Sequence, residues 1–364
     1  MKCTLKYLAT LFFFTSSTFS FAQETKWFGE SPEMMQALEG RGWDDIGFNR
    51  LPDSAVNSVR TPVWNLSRQT AGLMLRFTSD SEEISVSYLP TGNIQMPHMP
   101  ATGVSGVDLY TKDETGNWLW IRGSYQFGEK VSYKFHLDND QAKLKEFYLF
   151  LPLYNGLTDL EIGVPDDKNF AFTPKRVEKP ILIYGTSIAQ GASASRAGMA
   201  WTNILAREMN MPMINLGFSG NGRMEPEVID LLTQIDPAIF VLDCLPNLGS
   251  FSAEEVKEKL IFAVNTIRTK YPDTPILLTE HAGYSDGMVY ESRAEIYTNL
   301  NIWLQESFDQ LLTSGVSKIY TLTKDEIGMG IDDFVDGTHP SDLGMVKYSS
   351  AYSKKFKEIL GETR

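Results

Sequence analysis

Cysteine is nearly absent. The chain of 364 residues has two; Cys3 lies in a leader-like N-terminus, so Cys244 is left alone and no internal disulfide is expected. Histidine is almost as scarce, with four residues and no His-x-x-x-His spacing. With a single usable cysteine that gives no metal-site signature, and neither a metal nor a cofactor is expected. Basic charge is in deficit: 33 Lys and Arg against 46 Asp and Glu leave a formal charge of -13, which argues against nucleic acid and against anionic membrane surfaces as partners. After the leader, no segment approaches the roughly 18 to 20 uninterrupted apolar residues that a membrane span needs. No glycine loop is followed by a Walker A lysine, and Gly217-Phe-Ser-Gly-Asn-Gly222 reverses the glycine spacing of a dinucleotide fingerprint.

The first 22 residues read as a secretory signal peptide: Lys2 and Lys6 ahead of a short apolar core containing Leu11-Phe12-Phe13-Phe14, then Ser20-Phe21-Ala22 as a small-x-small cleavage site. Residues 1–22 are therefore set apart from the fold, and the expected location is exported, periplasmic or extracellular in a bacterium. The remainder is long enough for two domains with ordinary cores. Nothing in it specifies an oligomeric state.

Two periodicities divide that remainder. Residues 23–165 contain short runs with apolar and polar residues alternating in several of them: Ala71 to Phe77, Glu83 to Leu89, Gly106 to Thr111, Trp118 to Gly123, Lys130 to His136, Glu146 to Leu153 and Asp159 to Ile162. With Asp113-Glu-Thr-Gly-Asn117 as a hairpin turn, they predict an all-β sandwich or jelly roll. Residues 166–179, rich in proline and charge and without a period, predict a linker along the surface. Residues 180–364 alternate strand and helix: strands at Ile181 to Tyr184, Met213 to Leu216, Ala238 to Asp243, Ile276 to Thr279 and Lys318 to Thr321, with helices near Ala200 to Met209, Pro226 to Leu232, Ala253 to Lys270, Arg293 to Leu312 and Leu343 to Leu360. The expected class is α/β, a parallel sheet covered by helices on both faces.

In such sheets, sites form where strand C-termini meet their loops. Strand one ends in Gly185-Thr186-Ser187, strand two in Asn215-Leu-Gly-Phe-Ser-Gly220-Asn-Gly222, strand three in Asp243-Cys-Leu-Pro-Asn247, and Asp336-Gly-Thr-His339-Pro340 precedes the last helix. A serine hydroxyl needs an imidazole to take its proton, and the imidazole needs a carboxylate to hold its tautomer. Ser187, His339 and Asp336 supply those groups. Gly220 allows a backbone amide to approach a substrate oxygen, and Asn247 donates from its carboxamide. Each also has a plainer role: Ser187 closing a buried strand, the glycines and Asn247 as turn residues, His339 beside a helix cap. The run Gly185-x-Ser187-x-Ala189 lacks the last glycine of the α/β-hydrolase elbow. His281, after the fourth strand, is either a substrate contact or a buried or capping histidine. Arg196 is either a ligand for a polar substrate group or one half of a salt bridge, and Cys244 reads as a packed small residue.

The four blocks, in this order, resemble the SGNH hydrolases, the GDSL esterase and lipase superfamily. Closer still is the resemblance to a two-domain bacterial group with an N-terminal Gly-x-Asp-Leu-Tyr motif, present as Gly106-Val-Asp-Leu-Tyr110, with Gly185-Thr-Ser-Ile-Ala-Gln-Gly191 and Ser195-Arg-Ala-Gly-Met199 in the second half. The resemblance implies a flavodoxin-like three-layer domain and a catalytic triad of Ser187, His339 and Asp336. It also implies an oxyanion hole from the Ser187 and Gly220 amides and the Asn247 side chain. One departure is Thr186, where relatives usually carry aspartate; since that aspartate is not the triad carboxylate, the open question is how the first loop is braced. The expected substrate is a small-molecule or polysaccharide ester, an acetyl group on a carbohydrate, with Trp43, Trp64, Trp118, Trp120 and Trp201 as stacking platforms or core. Competing readings are a lipase or thioesterase on the same triad, and a glycan-binding protein without turnover.

Overall fold

The computed structural model describes residues 24–137 and 144–361; the leader segment 1–22 lies outside them. In the first half, Thr25–Phe28, Glu83–Pro90, Gly123–Gln126, Val131–His136 and Leu157–Pro165 form one antiparallel sheet. Leu38–Glu39, Met74–Ser79, Asp108–Lys112, Trp118–Ile121, Lys145–Phe150 and Phe170–Phe172 form the other. All seven runs expected from alternation are strands, with ends shifted by a few residues. The expected single strand from Trp118 to Gly123 is in fact two, Trp118–Ile121 in one sheet and Gly123–Gln126 in the other, with the chain crossing at Arg122. The Asp113 turn closes as a hairpin, its carboxylate accepting from the Thr115 and Asn117 amides at 2.9 and 2.8 Å.

The stretch read as a surface linker contains a strand. Phe170–Phe172 pairs antiparallel with Met74–Ser79, and the Phe170 ring stacks on Phe28 and Phe77 at 4.2 and 5.2 Å between centroids. Three residues are too few to show a period, and the pairing becomes visible only when the distant partner is in place.

The two sheets bury one core between them. Leu75, Phe77, Phe147 and Leu149 from one meet Ile84, Val86, Val131 and Phe135 from the other. The remaining face of the six-stranded sheet is covered as well. Met74, Tyr110, Tyr148 and Phe150 share a second core with Ile181, Ile183, Trp201 and Tyr352 of the C-terminal half. Strand Lys145–Phe150 thus sends Phe147 and Leu149 one way and Tyr148 and Phe150 the other, and so reads as an unbroken apolar run.

The C-terminal half has one parallel sheet of five strands, Met213–Gly217, Ile181–Gly185, Ile239–Asp243, Ile276–Thr279 and Ile319–Leu322 in spatial order. By sequence that order is 2-1-3-4-5, the flavodoxin-like arrangement. Leu182 and Tyr184 face helices Pro226–Leu232, Ala253–Lys270 and Glu291–Thr313, whereas Ile181 and Ile183 face Trp201–Met209 and Asp342–Leu360. Residues 51–63 of the first half also pack into the former layer through Leu51, Ala55, Val59 and Val63. The chain reverses direction of growth at strand Ile181–Gly185, and the crevice beyond its C-terminal end is where ligands bind in such sheets. Ser187 is two residues past it.

Candidate active site

Strand Ile181–Gly185 stops where Thr186 leaves the sheet and caps a single helical turn, Ser187–Gln190. The Thr186 hydroxyl accepts from the Ile188 amide at 3.3 Å, the role short polar side chains play at helix N-caps. Gly191 ends the turn with φ +103°, a left-handed conformation that a glycine adopts without strain. That geometry answers the departure at Thr186: the loop is braced by a hydroxyl cap. Ser187, at the first helical position, keeps a backbone N–H without an intrahelical partner.

The serine is nearly buried, at 8% exposure, and its Oγ lies 2.9 Å from His339 Nε2. His339 Nδ1 lies 2.7 Å from Asp336 Oδ2. The second oxygen of Asp336 accepts from the Thr338 and His339 amides at 3.0 and 2.8 Å, so a tight turn holds carboxylate and imidazole on the same side. Partial burial acts to raise the Asp336 pKa, but these hydrogen bonds outweigh it and the group is held below the usual carboxylate value. The charged form is favoured; a charged carboxylate beside one ring nitrogen of an imidazole can hold the proton there and leave the other nitrogen to accept from a hydroxyl.

The loop after strand Met213–Gly217 lies against this turn. A Cβ on Gly222 would stand 1.9 Å from the Gly185 carbonyl oxygen, and one on Gly217 would stand 2.3 Å from the Gln190 nitrogen, so both glycines are required by close approach. Gly220 has open space around it but φ +67°, and here the requirement is conformational. Neither the Ser187 nor the Gly220 N–H is engaged by another group among the described residues. The Asn247 carboxamide is assigned with its oxygen accepting from the Asn221 and Gly222 amides at 3.0 and 3.1 Å, since the opposite orientation sets nitrogen against donors. Gly220 and Asn247 are thus tied to the same loop, which packs on the Ser187 turn.

The two further candidates, Arg196 and His281, are each engaged by neighbouring groups. Arg196 spans the domains, donating to Asp108 Oδ2 at 2.8 Å and to the Tyr110 hydroxyl at 2.5 Å, with its guanidinium over Trp120. Asp108 and Tyr110 belong to the Gly-x-Asp-Leu-Tyr motif, so this motif is an interdomain clasp. His281 is 1% exposed; its Nδ1 accepts from the Gly283 amide at 2.9 Å, and burial pushes its pKa down to about 3. Cys244 is buried, and burial next to Asp243 pushes its thiol pKa well up. Of the five tryptophans, Trp201 is wholly buried and Trp120 is the one with an exposed ring, at 48%. Among the described residues, no three His, Cys, Asp or Glu side chains gather as a metal site would require, and no helix is long and apolar enough to cross a membrane.

Three contributors, His98, Tyr154 and Arg50, left no mark in the sequence because they come from the other domain. The ring of His98 stacks on His339 with centroids 5.7 Å apart. The Tyr154 hydroxyl donates to the Ser187 carbonyl at 3.3 Å. Arg50, fully buried, donates to the Asn215 and Gly217 carbonyls at 3.2 and 2.7 Å, beneath the Gly220 loop. Within the Ser187–Gln190 turn, Gln190 accepts from the Ser219 amide at 3.0 Å.

The sequence profile of the GDSL-like Lipase/Acylhydrolase family matches residues 178–357, and that of the GxDLY N-terminus of Esterase_SGNH_hydro-type proteins matches residues 25–170. No curated protein matches the chain. Among solved structures, one from Bacteroides ovatus ATCC 8483 described as a GDSL-like lipase has 33% identity over 93% of this chain and 98% of that one, with a TM-score of 0.84. The salicylyl-acyltransferase SsfX3 from a tetracycline biosynthetic pathway shares the fold at 18% identity and TM-score 0.71, over 93% and 98% of the two chains. A family two carbohydrate esterase from Cellvibrio japonicus shares it at 12% identity and TM-score 0.56, over 93% and 99%. The chain belongs to the GDSL-like lipase/acylhydrolase family, the SGNH hydrolases, with a GxDLY-type N-terminal domain, and it is an ester hydrolase.

Proposed function

We propose that the protein removes a small acyl group, acetyl, from a carbohydrate by way of a Ser187-His339-Asp336 triad. The observation that carries the triad is the continuous chain from Ser187 Oγ through His339 to Asp336, at 2.9 and 2.7 Å. His339 Nε2 takes the hydroxyl proton as Ser187 Oγ attacks the acyl carbon, and Asp336 stabilises the imidazolium. The oxyanion meets the Ser187 and Gly220 amides and the Asn247 NH2 group; in comparable enzymes, loss of one such donor costs about 2.7 to 4 kcal/mol of barrier. After the alcohol leaves, water attacks the acyl-serine by the same route.

The carbohydrate ester is supported by the export signal read at residues 1–22, by the exposed Trp120, and by polar groups around the histidine turn. There, the Ser285 backbone amide donates to the Gly337 carbonyl at 3.2 Å and the Arg293 guanidinium to the Thr338 hydroxyl at 3.0 Å. The shared fold with carbohydrate esterases fits this reading. The test is acetate release from a panel of acetylated glycans, with Ser187→Ala as the blank. No release from any glycan, together with rapid cleavage of long-chain esters, would refute it.

One observation favours a longer acyl chain. Met288, Val289 and Tyr290 are 96%, 75% and 57% exposed in the segment that carries Ser285 and Asp286 against Gly337. Rates on nitrophenyl esters of increasing chain length separate the two readings: a maximum at acetate supports the first, a maximum at eight or more carbons, on the order of a lipase substrate, supports the second.

A further inference from the structure

Residues 91–100 leave the N-terminal domain and end on the active site. The loop is firmly held. Met96 and Met99 exchange backbone hydrogen bonds at 3.1 Å each, which sets Pro97 and His98 at the tip of a tight turn. At its base, Asn155 accepts from the Gly92 amide at 2.8 Å and donates to the Asn93 carbonyl at 3.1 Å, and the Ser105 hydroxyl donates to the Ile94 carbonyl at 2.8 Å. Met99 is buried, at 2% exposure, and Thr102 donates to the Ser195 carbonyl of the catalytic domain at 2.6 Å. His98 is therefore presented by a rigid element.

Its ring lies over His339, centroids 5.7 Å apart and planes within 21°. The ring is half-buried, and its nitrogens bond to no group among the described residues. The chemistry of the triad says what must pass beside it. As the bond from Ser187 Oγ to the acyl carbon forms, the bond from that carbon to the alcohol oxygen breaks. The proton taken from Ser187 moves through His339 Nε2 to the departing oxygen. The acyl half of the substrate lies at the oxyanion donors, and the alcohol half lies against the His339 imidazole.

We infer that His98 forms the subsite for the alcohol half of the ester and that this alcohol carries further hydroxyls. A neutral imidazole offers one donor and one acceptor, which neighbouring hydroxyls satisfy; a hydrocarbon alcohol in the same place leaves both unpaired at a cost. The N-terminal domain thus reads the leaving group, and the hydrolase domain reads the acyl group. The inference rests on the triad mechanism proposed above and narrows its substrate.

The test uses the full chain with His98→Ala, His98→Phe and His98→Gln, on three acetate esters: an acetylated xylo-oligosaccharide, glycerol monoacetate and 4-nitrophenyl acetate. Nitrophenolate departs without a proton and has no hydroxyl to read. The Ala and Phe variants are expected to lose about tenfold or more in kcat/KM on the two hydroxylated esters and to stay within about twofold on the nitrophenyl ester. Gln, which keeps a donor and an acceptor, recovers part of the loss, and the ratio of acetate to butyrate cleavage is unchanged. Equal losses on all three esters would mean that the ring only steadies His339, and no loss on any would mean it is idle; either overturns the inference. Should the wild type leave the oligosaccharide intact but cleave glycerol monoacetate, the carbohydrate reading fails, and the glycerol and nitrophenyl pair still decides the subsite. Failure to cleave either hydroxylated ester overturns the subsite as well.

Discussion

Asp108 and Arg196 face each other across the two halves of the chain, carboxylate oxygen to guanidinium nitrogen at 2.8 Å. The same carboxylate accepts from the Gly198 amide at 2.6 Å. Next to Arg196, Ser195 donates to Asp342 through its amide and hydroxyl, at 2.9 and 2.5 Å, and Asp342 stands three residues after His339. The β domain therefore braces the turn that carries the imidazole.

Breaking this clasp is expected to cost stability and activity together. Asp108→Ala leaves Arg196 partly buried without its carboxylate partner, a change expected to destabilise by about 3 kcal/mol. Urea unfolding gives the stability term, and kcat on nitrophenyl acetate gives the catalytic one. An unaltered kcat in a destabilised variant would show that the clasp does not reach His339.

Ser187→Ala and His339→Ala are each expected to lower kcat by about ten-thousandfold, and the double variant to be little worse, because the two side chains act as one unit. A fluorophosphonate should label the wild type and not Ser187→Ala. Additive losses would contradict a shared relay. An unlabelled wild type would favour a binding protein.

Thr186 works through its hydroxyl, so Thr186→Ser should keep wild-type stability, whereas Thr186→Val should lose about 1 kcal/mol from the missing cap. Thermal unfolding of the pair is the measurement. Equal midpoints for Ser and Val would remove the cap from the account.

Asp243 is fully buried, accepts from the Tyr352 hydroxyl at 3.1 Å, and has its pKa pushed up to about 7 by burial. The folded protein therefore binds a proton that the unfolded chain releases near the ordinary carboxylate value. The stability this contributes is complete below that value, and is lost as pH rises through about 7. Asp243→Asn keeps the acceptor and removes the titration. It should gain on the wild type between pH 4 and 8, by up to about 4 kcal/mol at the upper end. Parallel stability curves for the two proteins would refute the shift.

Much of this was legible in one dimension. Alternation marked the long strands, and the apolar runs at Ile181 and Ile239 with helices between them marked the parallel sheet, because burial on one or two faces writes its period directly into the chain. The loop ends carried Ser187, Gly220, Asn247, Asp336 and His339, each of a residue type that acyl transfer requires. What escaped were strands such as Phe170–Phe172, whose only support is a distant partner, and the division of labour at Arg196 and His281, where either of two roles fits the same local sequence. Only the tertiary structure shows the ion pair of Arg196 to Asp108, or brings His98 from the first domain over His339. Spacing along the chain determines which groups are present at a strand end; contacts between residues far apart in sequence depend on how two domains pack, and no local pattern encodes them.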